Sequence, residues 1–176
     1  MTTFRRGYAH IVTSYGCTVF LAMIVLAPVV AAQSPSSSPI AALEDARTVY
    51  ASVDKAVRQH QLVKHDTTVT CRENDLETRG SVYVDRQHRI RRLNTEGGTS
   101  DHGERIATYF DTLGRARFSF AERGAVNGTQ QEERVYFDAR GSVVRRVVRR
   151  IKGPGYPFER LRRAPLAATW VRDLCG

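Results

Sequence analysis

A helical pattern of hydrophobic positions opens the folded part of the chain. Apolar side chains recur from residue 40 at intervals of three and four, which places them in one stripe along a helix. The stripe consists of Ile40, Leu43, Ala46, Val49, Tyr50, Val53, Ala56 and Val57. Ser38 can cap the first turn, and Pro39 suits the first helical position, where no amide donor is needed. The pattern predicts a helix over residues 38–60 whose apolar stripe packs on another surface.

From residue 67 to residue 151 the pattern changes to the alternation of β-strands. The clearest case is 115–120 (RARFSF), where Ala116, Phe118 and Phe120 alternate with polar residues. Alternation of this kind indicates strands with one packed face and one face in water. We therefore predict an α+β fold, in which the helix packs on an antiparallel meander of about seven strands.

Three turns repeat within the predicted meander, at spacings of 26 and 27 residues. They lie at 85–88, 111–114 and 138–141, and each begins with Asp after an aromatic or apolar strand end. Asp can bond amides ahead of it, and Gly at the fourth position supplies a left-handed conformation. In the first turn His88 replaces Gly, which predicts a looser turn. The motif resembles the turn of YD-type repeats, a resemblance that implies matched hairpins and no particular function.

Two further segments bear on the strand assignment. Asn127 and Gly128 predict a tight hairpin turn with positive φ at both residues. Residues 142–151 (SVVRRVVRRI) have the spacing of a basic amphipathic helix of the kind that lies on anionic membranes. The repeat turn just before this segment favours a strand instead, at an edge or with a bulge, and we predict a strand.

The N-terminus has the layout of a secretory signal peptide. Arg5 and Arg6 precede an apolar run at 19–30, and Val30 and Ala32 occupy the −3 and −1 positions of a cut before residue 33. The run is shorter than the ~20 residues that span a membrane. We predict a signal peptide at 1–32, a flexible tether at 33–37 and a single domain at 38–176. The mature protein would be periplasmic or extracellular, with no transmembrane segment.

Two cysteines remain after the predicted cleavage, Cys71 and Cys175. In an exported domain, two cysteines favour one disulfide. This bond would tie the C-terminal segment, where 166–174 is predicted to form a short helix, to the first strand.

The chain is basic, with a formal net charge of +9. Such a charge favours anionic partners, namely an anionic polymer, a lipid head group or another protein. Nucleic acid is not expected for an exported protein. Guanidinium groups just beyond the three turns form the candidate anion site, because they bond phosphate, sulfate and carboxylate groups in a forked manner. The candidate residues are Arg91, Arg117, Arg145, Arg146, Arg149 and Arg150. Alternatively, glutamates on neighbouring strands neutralise these arginines as cross-strand pairs.

No catalytic, cofactor or metal motif is recognisable, so we predict a protein that is not an enzyme. Three functions remain open. The first is an exported recognition module that uses an Arg-rich sheet face. The second is a carrier, because the order of signal peptide, helix and meander resembles periplasmic lipoprotein carriers, in which a helix plugs an apolar half-barrel. The third is a small secreted enzyme inhibitor that presents the loop at 153–158. The oligomeric state is not predicted.

Overall fold

A computed structural model describes residues 38–70 and 77–161. Within them one helix packs against a seven-stranded antiparallel sheet, which confirms the predicted α+β arrangement. The elements are α1 (Pro39–Arg58), β1 (Val63–Thr70), β2 (Glu77–Val84), β3 (Ile90–Gly98), β4 (His102–Phe110), β5 (Ala116–Ala125), β6 (Gln130–Phe137) and β7 (Val143–Lys152). The predicted signal peptide, the tether, the disulfide of Cys71 and Cys175, and the helix at 166–174 lie outside the described residues.

The helix begins as its sequence predicts. The Ser38 hydroxyl accepts a hydrogen bond from the Ala41 amide at 3.2 Å, and Pro39 is the first helical residue. Ala46 and Val53 of the predicted stripe are buried, but Ile40 at the start of α1 is 76% exposed. Ala42, in the first turn but outside the predicted stripe, is also buried, so the buried side of α1 departs from that stripe at its N-terminal end.

The sheet is a simple meander in which neighbouring strands pair in chain order from β1 to β7. It begins at Val63, earlier than the predicted residue 67, and 143–152 is a strand as predicted. The first residues of β1 lack hydrophobic alternation because they are exposed at the edge of the sheet, and Val63 itself is 59% exposed. An edge strand needs no buried face, so the sequence at the start of β1 shows no alternation of apolar and polar residues.

The second repeat turn shows how these hairpins close. The Asp111 carbonyl accepts from the Gly114 amide at 3.1 Å, and Asp111 Oδ1 accepts from the amides of Leu113 and Arg115 at 2.9 and 3.0 Å. Gly114 has φ +74°, the left-handed conformation. This is a three-residue loop with a type I turn followed by a left-handed residue.

The first repeat turn closes in the same way, so the predicted looser turn is wrong. His88 adopts φ +58° and donates its amide to the Asp85 carbonyl at 2.9 Å. Asp85 Oδ1 accepts from the amides of Gln87 and Arg89, each at 3.0 Å. The aspartate bonds hold the loop shape, and His88 takes the strained conformation that glycine adopts more readily.

The turn at Asn127 also belongs to this class, which corrects its predicted type. Gly128 has φ +81°, whereas Asn127 does not have a positive φ. The Asn127 side chain instead accepts from the Thr129 amide at 3.0 Å. The Asn127 side chain therefore accepts from the residue after the turn, as Asp111 does from Arg115, although Asn127 is the third residue of its turn rather than the first.

Each repeat hairpin contains a bulge just after its turn. In β5, Phe118 pairs with Tyr109 while Ala116 pairs with Phe110, which leaves Arg117 without a cross-strand partner. The same shift in register leaves Arg91 unpaired in β3 and Val144 unpaired in β7. A bulge redirects the side chain of the extra residue, so simple alternation misplaces it.

Apolar residues are buried on both faces of the sheet. On the face covered by α1, here called the helix face, Tyr109 and Phe118 pack against Val53. The second face buries a separate cluster: Val82, Leu93, Phe110, Ala116, Val135 and Phe137, with Leu161 packed against it. The prediction that one face lies in water is wrong, because Arg117 and Ser119 are buried. Their polar groups are satisfied within the protein, as in the 2.9 Å contact between the Ser119 and Thr108 hydroxyls.

Candidate functional site

Two of the predicted anion-binding arginines are engaged near the repeat turns. Arg91 lies 3.6 Å from the carboxylate of Asp85. Arg117 lies 3.6 Å from Asp111 and 3.3 Å from Asp45 of α1, and its side chain is only 5% exposed. Both guanidinium groups already neutralise aspartates, which limits what they can offer a ligand.

The four arginines of β7 divide between the two faces. Arg145 and Arg149 pair in register with Tyr136 and Glu132, which places them on the helix face. The other two lie on the second face. There Arg146 pairs with the buried carboxylate of Glu133, and Arg150 donates to the carbonyl of Pro154 at 3.0 Å. The six predicted residues therefore do not form one stripe.

Another arginine, Arg92, lies at an open cavity of about 450 Å³ on the helix face. Its guanidinium carbon lies 5.5 Å from the ring centre of Tyr83 and 5.1 Å from that of Tyr109. Its Nε donates to the Asn94 side chain at 2.8 Å. Arg92 pairs with no carboxylate in the described part of the chain. It is thus a cation stacked between two rings and held by a neutral acceptor.

Neighbouring cations of this cavity are neutralised by adjacent acids. Lys64 pairs with Asp66 at 2.7 Å, and Arg105 pairs with Glu96 at 3.1 Å. The Asp66 carboxylate also raises the pKa of Lys64, chiefly by hydrogen bonding. Arg79 and Glu122 also line this cavity, and Arg92 is the cation there whose contacts are a neutral acceptor and two aromatic rings.

An aromatic cavity of about 300 Å³ lies between α1 and the sheet. It is lined by Arg47, Tyr50, Tyr109, Phe118, Phe120, Arg134 and Tyr136. The Tyr50 ring meets Tyr109 and Phe118 edge-on, with centres 5.0 and 5.1 Å apart. Burial raises the pKa of Tyr109 to about 12, so its phenol stays neutral at physiological pH. Tyr109 and Phe120 line both this cavity and that of Arg92, which makes the two cavities neighbours.

A third cavity, of about 410 Å³, occupies the other end of the helix face. Glu96, Glu122 and Glu132 line it, and Glu122 and Glu132 are direct cross-strand neighbours. Glu132 is paired with Arg134 at 2.9 Å. Glu96 and Glu122 also line the Arg92 cavity, but this third cavity adds Glu104 and Glu132. Because like charges repel, an anion is less favoured here than at the Arg92 end.

The loop at 153–158 packs back on the protein. Phe158 is buried, and the Tyr156 hydroxyl donates to the Asp101 carboxylate. The Asn127 side chain donates to the Gly155 carbonyl at 3.0 Å, and the Gly155 amide donates to the Thr129 hydroxyl at 3.1 Å. An inhibitor would present this loop to solvent, whereas in the structure it folds back on the protein.

Arg92 was not among the predicted site residues, although its position could be read in part from the sequence. Arg91 and Arg92 are adjacent residues of one type, and only the bulge decides which one lies beside the tyrosines. Tyr109 lies at the strand end before the second repeat turn, where no site was predicted. Its neighbours across the sheet, Arg92 and Phe118, follow from the register.

In comparisons with known proteins, no family model, curated protein or solved structure matches the chain. The described helix is not long and apolar enough to cross a membrane. In the described ranges, no group of three or more His, Cys, Asp or Glu residues is placed to hold a metal ion. The functional argument therefore rests on the geometry of the helix face.

Proposed function

We propose that this protein is an exported, non-catalytic recognition module that binds an anionic envelope component or an anionic protein partner. Its anion site is Arg92 on the helix face. Export and an oxidised Cys71–Cys175 pair belong to the proposal, and the signal-peptide pattern at 1–32 supports them. The observation that carries the proposal is an arginine with no carboxylate partner in the described residues, at the wall of an open cavity.

The surroundings of Arg92 suit anion binding. Asn94 engages Nε, which leaves the two terminal nitrogens for a forked bond to a carboxylate, phosphate or sulfate. The rings of Tyr83 and Tyr109 restrict the guanidinium group, so little side-chain freedom is lost on binding. Partial burial strengthens the attraction relative to a fully solvated arginine.

Arg145 and Arg149 lie on the same face but four strands away from Arg92. Both are exposed and lie on β7, at the edge of the described sheet. Exposed charges contribute mainly long-range attraction that salt screens. They would therefore speed the capture of an anion, whereas Arg92 would hold it.

The test measures binding over a salt series to three anionic probes: heparin, polyglutamate and phosphatidylglycerol vesicles. We expect at least one probe to bind in a salt-sensitive manner, and Arg92→Gln to weaken it by about tenfold or more. Arg140→Gln is the matched control, since Arg140 is exposed in the turn between β6 and β7. If no probe binds at low salt, or if both variants weaken binding equally, the proposed site is wrong. Arg146 is unsuitable for this test because it pairs with Glu133.

A carrier for lipid or lipoprotein is the second candidate, and the aromatic cavity beneath α1 favours it. A carrier would hold its cargo in that cavity during purification. Native mass spectrometry on the secreted protein would then show a reproducible non-covalent adduct of lipid-like mass. A bare protein would argue against this function.

A further inference from the structure

The two neighbouring cavities of the helix face have opposite character. The Arg92 cavity contains the unpaired cation, and the cavity beneath α1 is walled mainly by aromatic rings. Tyr109 and Phe120 contribute to both linings. A molecule that occupies both cavities would meet the Arg92 guanidinium at one end and aromatic rings at the other, where the two arginines of the lining, Arg47 and Arg134, are paired with Glu44 and Glu132.

We propose that the ligand is a small amphipathic carboxylate, whose carboxylate bonds Arg92 and whose apolar tail occupies the aromatic cavity beneath α1. This inference rests on the proposed anion site at Arg92. It goes beyond that site by naming a single small molecule with a planar head group and an apolar tail.

The head group follows from the geometry of Arg92. A guanidinium group whose Nε is already engaged presents its terminal edge, and a planar carboxylate matches that edge with two parallel hydrogen bonds. Tyr83 and Tyr109 lie on the strands to either side of Arg92, with ring centres 5.5 and 5.1 Å from its guanidinium carbon, so they limit the room beside it. Both carboxylate and phosphate can make the fork, but a planar carboxylate needs less room between the two rings than a tetrahedral phosphate does.

The tail follows from the shape of the aromatic cavity. The helix contributes Arg47 and Tyr50 to one side, and the sheet contributes the other rings, so the space is bounded by α1. Tyr50 is 39% exposed, although it also packs edge-on against Tyr109 and Phe118. A cavity of about 300 Å³ suits a short tail better than a polymer, whose path across the sheet α1 would obstruct.

The test measures displacement of an apolar fluorescent dye by decanoate, decanol and decyl phosphate, which share one tail. We expect decanoate to bind about tenfold or more tightly than decanol, and Arg92→Gln to remove that preference without weakening decanol. Arg92→Lys should restore only part of the preference, because it keeps the charge without the fork. Tyr50→Ala should weaken decanoate and decanol alike, and Arg140→Gln should change neither.

Several outcomes would overturn this inference. Equal or tighter binding of decyl phosphate would exclude a carboxylate-specific head group, and equal binding of decanol would exclude a charged one. Absence of decanoate binding, with Arg92-dependent binding of heparin, polyglutamate or vesicles intact, would refute the small ligand but leave the proposed function standing. Loss of every anion interaction would refute both.

Discussion

Arg91 and Arg117 make the same pair of contacts one repeat apart. Each is the unpaired residue of a bulge. Each donates Nε at 3.3 Å to a main-chain carbonyl of the following hairpin, that of Phe110 for Arg91 and that of Phe137 for Arg117. Each also lies 3.6 Å from the aspartate of its own turn. These arginines link successive hairpins, and the third repeat has Val144 at the corresponding position.

The link made by Arg117 should contribute more to stability than the one made by Arg91. The Arg117 side chain is 5% exposed and that of Arg91 is 16% exposed, so water replaces the lost bonds less well at Arg117. We expect Arg117→Gln to lower the free energy of unfolding by about 2–4 kcal/mol. Arg91→Gln should have a smaller effect. Urea denaturation of the two variants checks the order, and a larger loss for Arg91→Gln would contradict it.

The ion network on the second face predicts a strong dependence on Glu133. Its side chain is fully buried and accepts from Arg123 at 2.6 Å and from Arg146. Glu133→Ala leaves two arginines facing an unfilled site and should cost about 3–5 kcal/mol of unfolding free energy. Glu122→Gln is the control, because Glu122 is exposed on the helix face. Its effect should stay within about 0.5 kcal/mol. Comparable losses in both variants would show that burial of Glu133 is not the cause.

The repeat-turn aspartates predict a loss of stability in acid. Burial raises the pKa of Asp111, but hydrogen bonds from Arg115 and Leu113 outweigh it and hold that pKa below the ordinary value. The pKa of Asp85 is lowered in the same way by Arg89 and Gln87, against the effect of burial. A depressed carboxyl pKa stabilises the fold above the unfolded value of about 3.9, and this contribution is lost as the pH falls through the folded pKa.

Asp111→Asn separates this charge effect from the turn geometry. Asn keeps the oxygen that accepts the backbone amides but cannot titrate. We expect the variant to be less stable than the original chain at neutral pH and to lose less stability on acidification below about pH 4. Urea midpoints across that pH range are the measurement. Identical slopes would show that Asp111 does not contribute to the acid sensitivity.

The left-handed residue of each repeat turn offers a matched pair of substitutions. His88 has φ +58° and Gly114 has φ +74° at equivalent positions. A left-handed conformation costs a residue other than glycine about 1–2 kcal/mol. His88→Gly should therefore raise the unfolding free energy by about 0.5–1 kcal/mol, after the greater chain entropy of glycine is subtracted.

Gly114→Ala should have the opposite effect and lower the free energy of unfolding by about 1 kcal/mol. An added Cβ at Gly114 would meet no atom within 4 Å, so only the backbone conformation can act. Thermal unfolding of the two variants measures both effects. A stabilising Gly114→Ala would contradict the argument from backbone strain.

The sequence was most informative where neighbouring residues determine the structure. Ser38 and Pro39 marked the start of α1, and the spacing of apolar residues identified the helix itself. Asp111 and Gly114 define their turn through bonds within five residues of chain. The repeat of that turn also resolved 143–152 as a strand, although its own pattern suits a helix equally well.

A bulge was among the expectations for 142–151, but the bulges in β3 and β5 were not predicted. Strict alternation placed Arg117 in water, but the extra residue in β5 turns it inward to Asp111 and Phe137. A bulge depends on how two strands pair, and a regularly alternating segment such as 115–120 shows no sign of it. For the same reason, the sequence did not show that Arg92, rather than Arg91, lies beside the tyrosines, and Arg92 was not among the predicted site residues.

The sequence by itself determined the helix, the order of the strands and the chemistry of the turns, because these follow from local periodicity and local hydrogen bonds. Only the tertiary structure decided that both faces are buried and that the β7 arginines divide between them. It also placed Arg92 between Tyr83 and Tyr109. These outcomes depend on strand register and on the packing of α1 against the sheet, which bring together residues far apart in the chain.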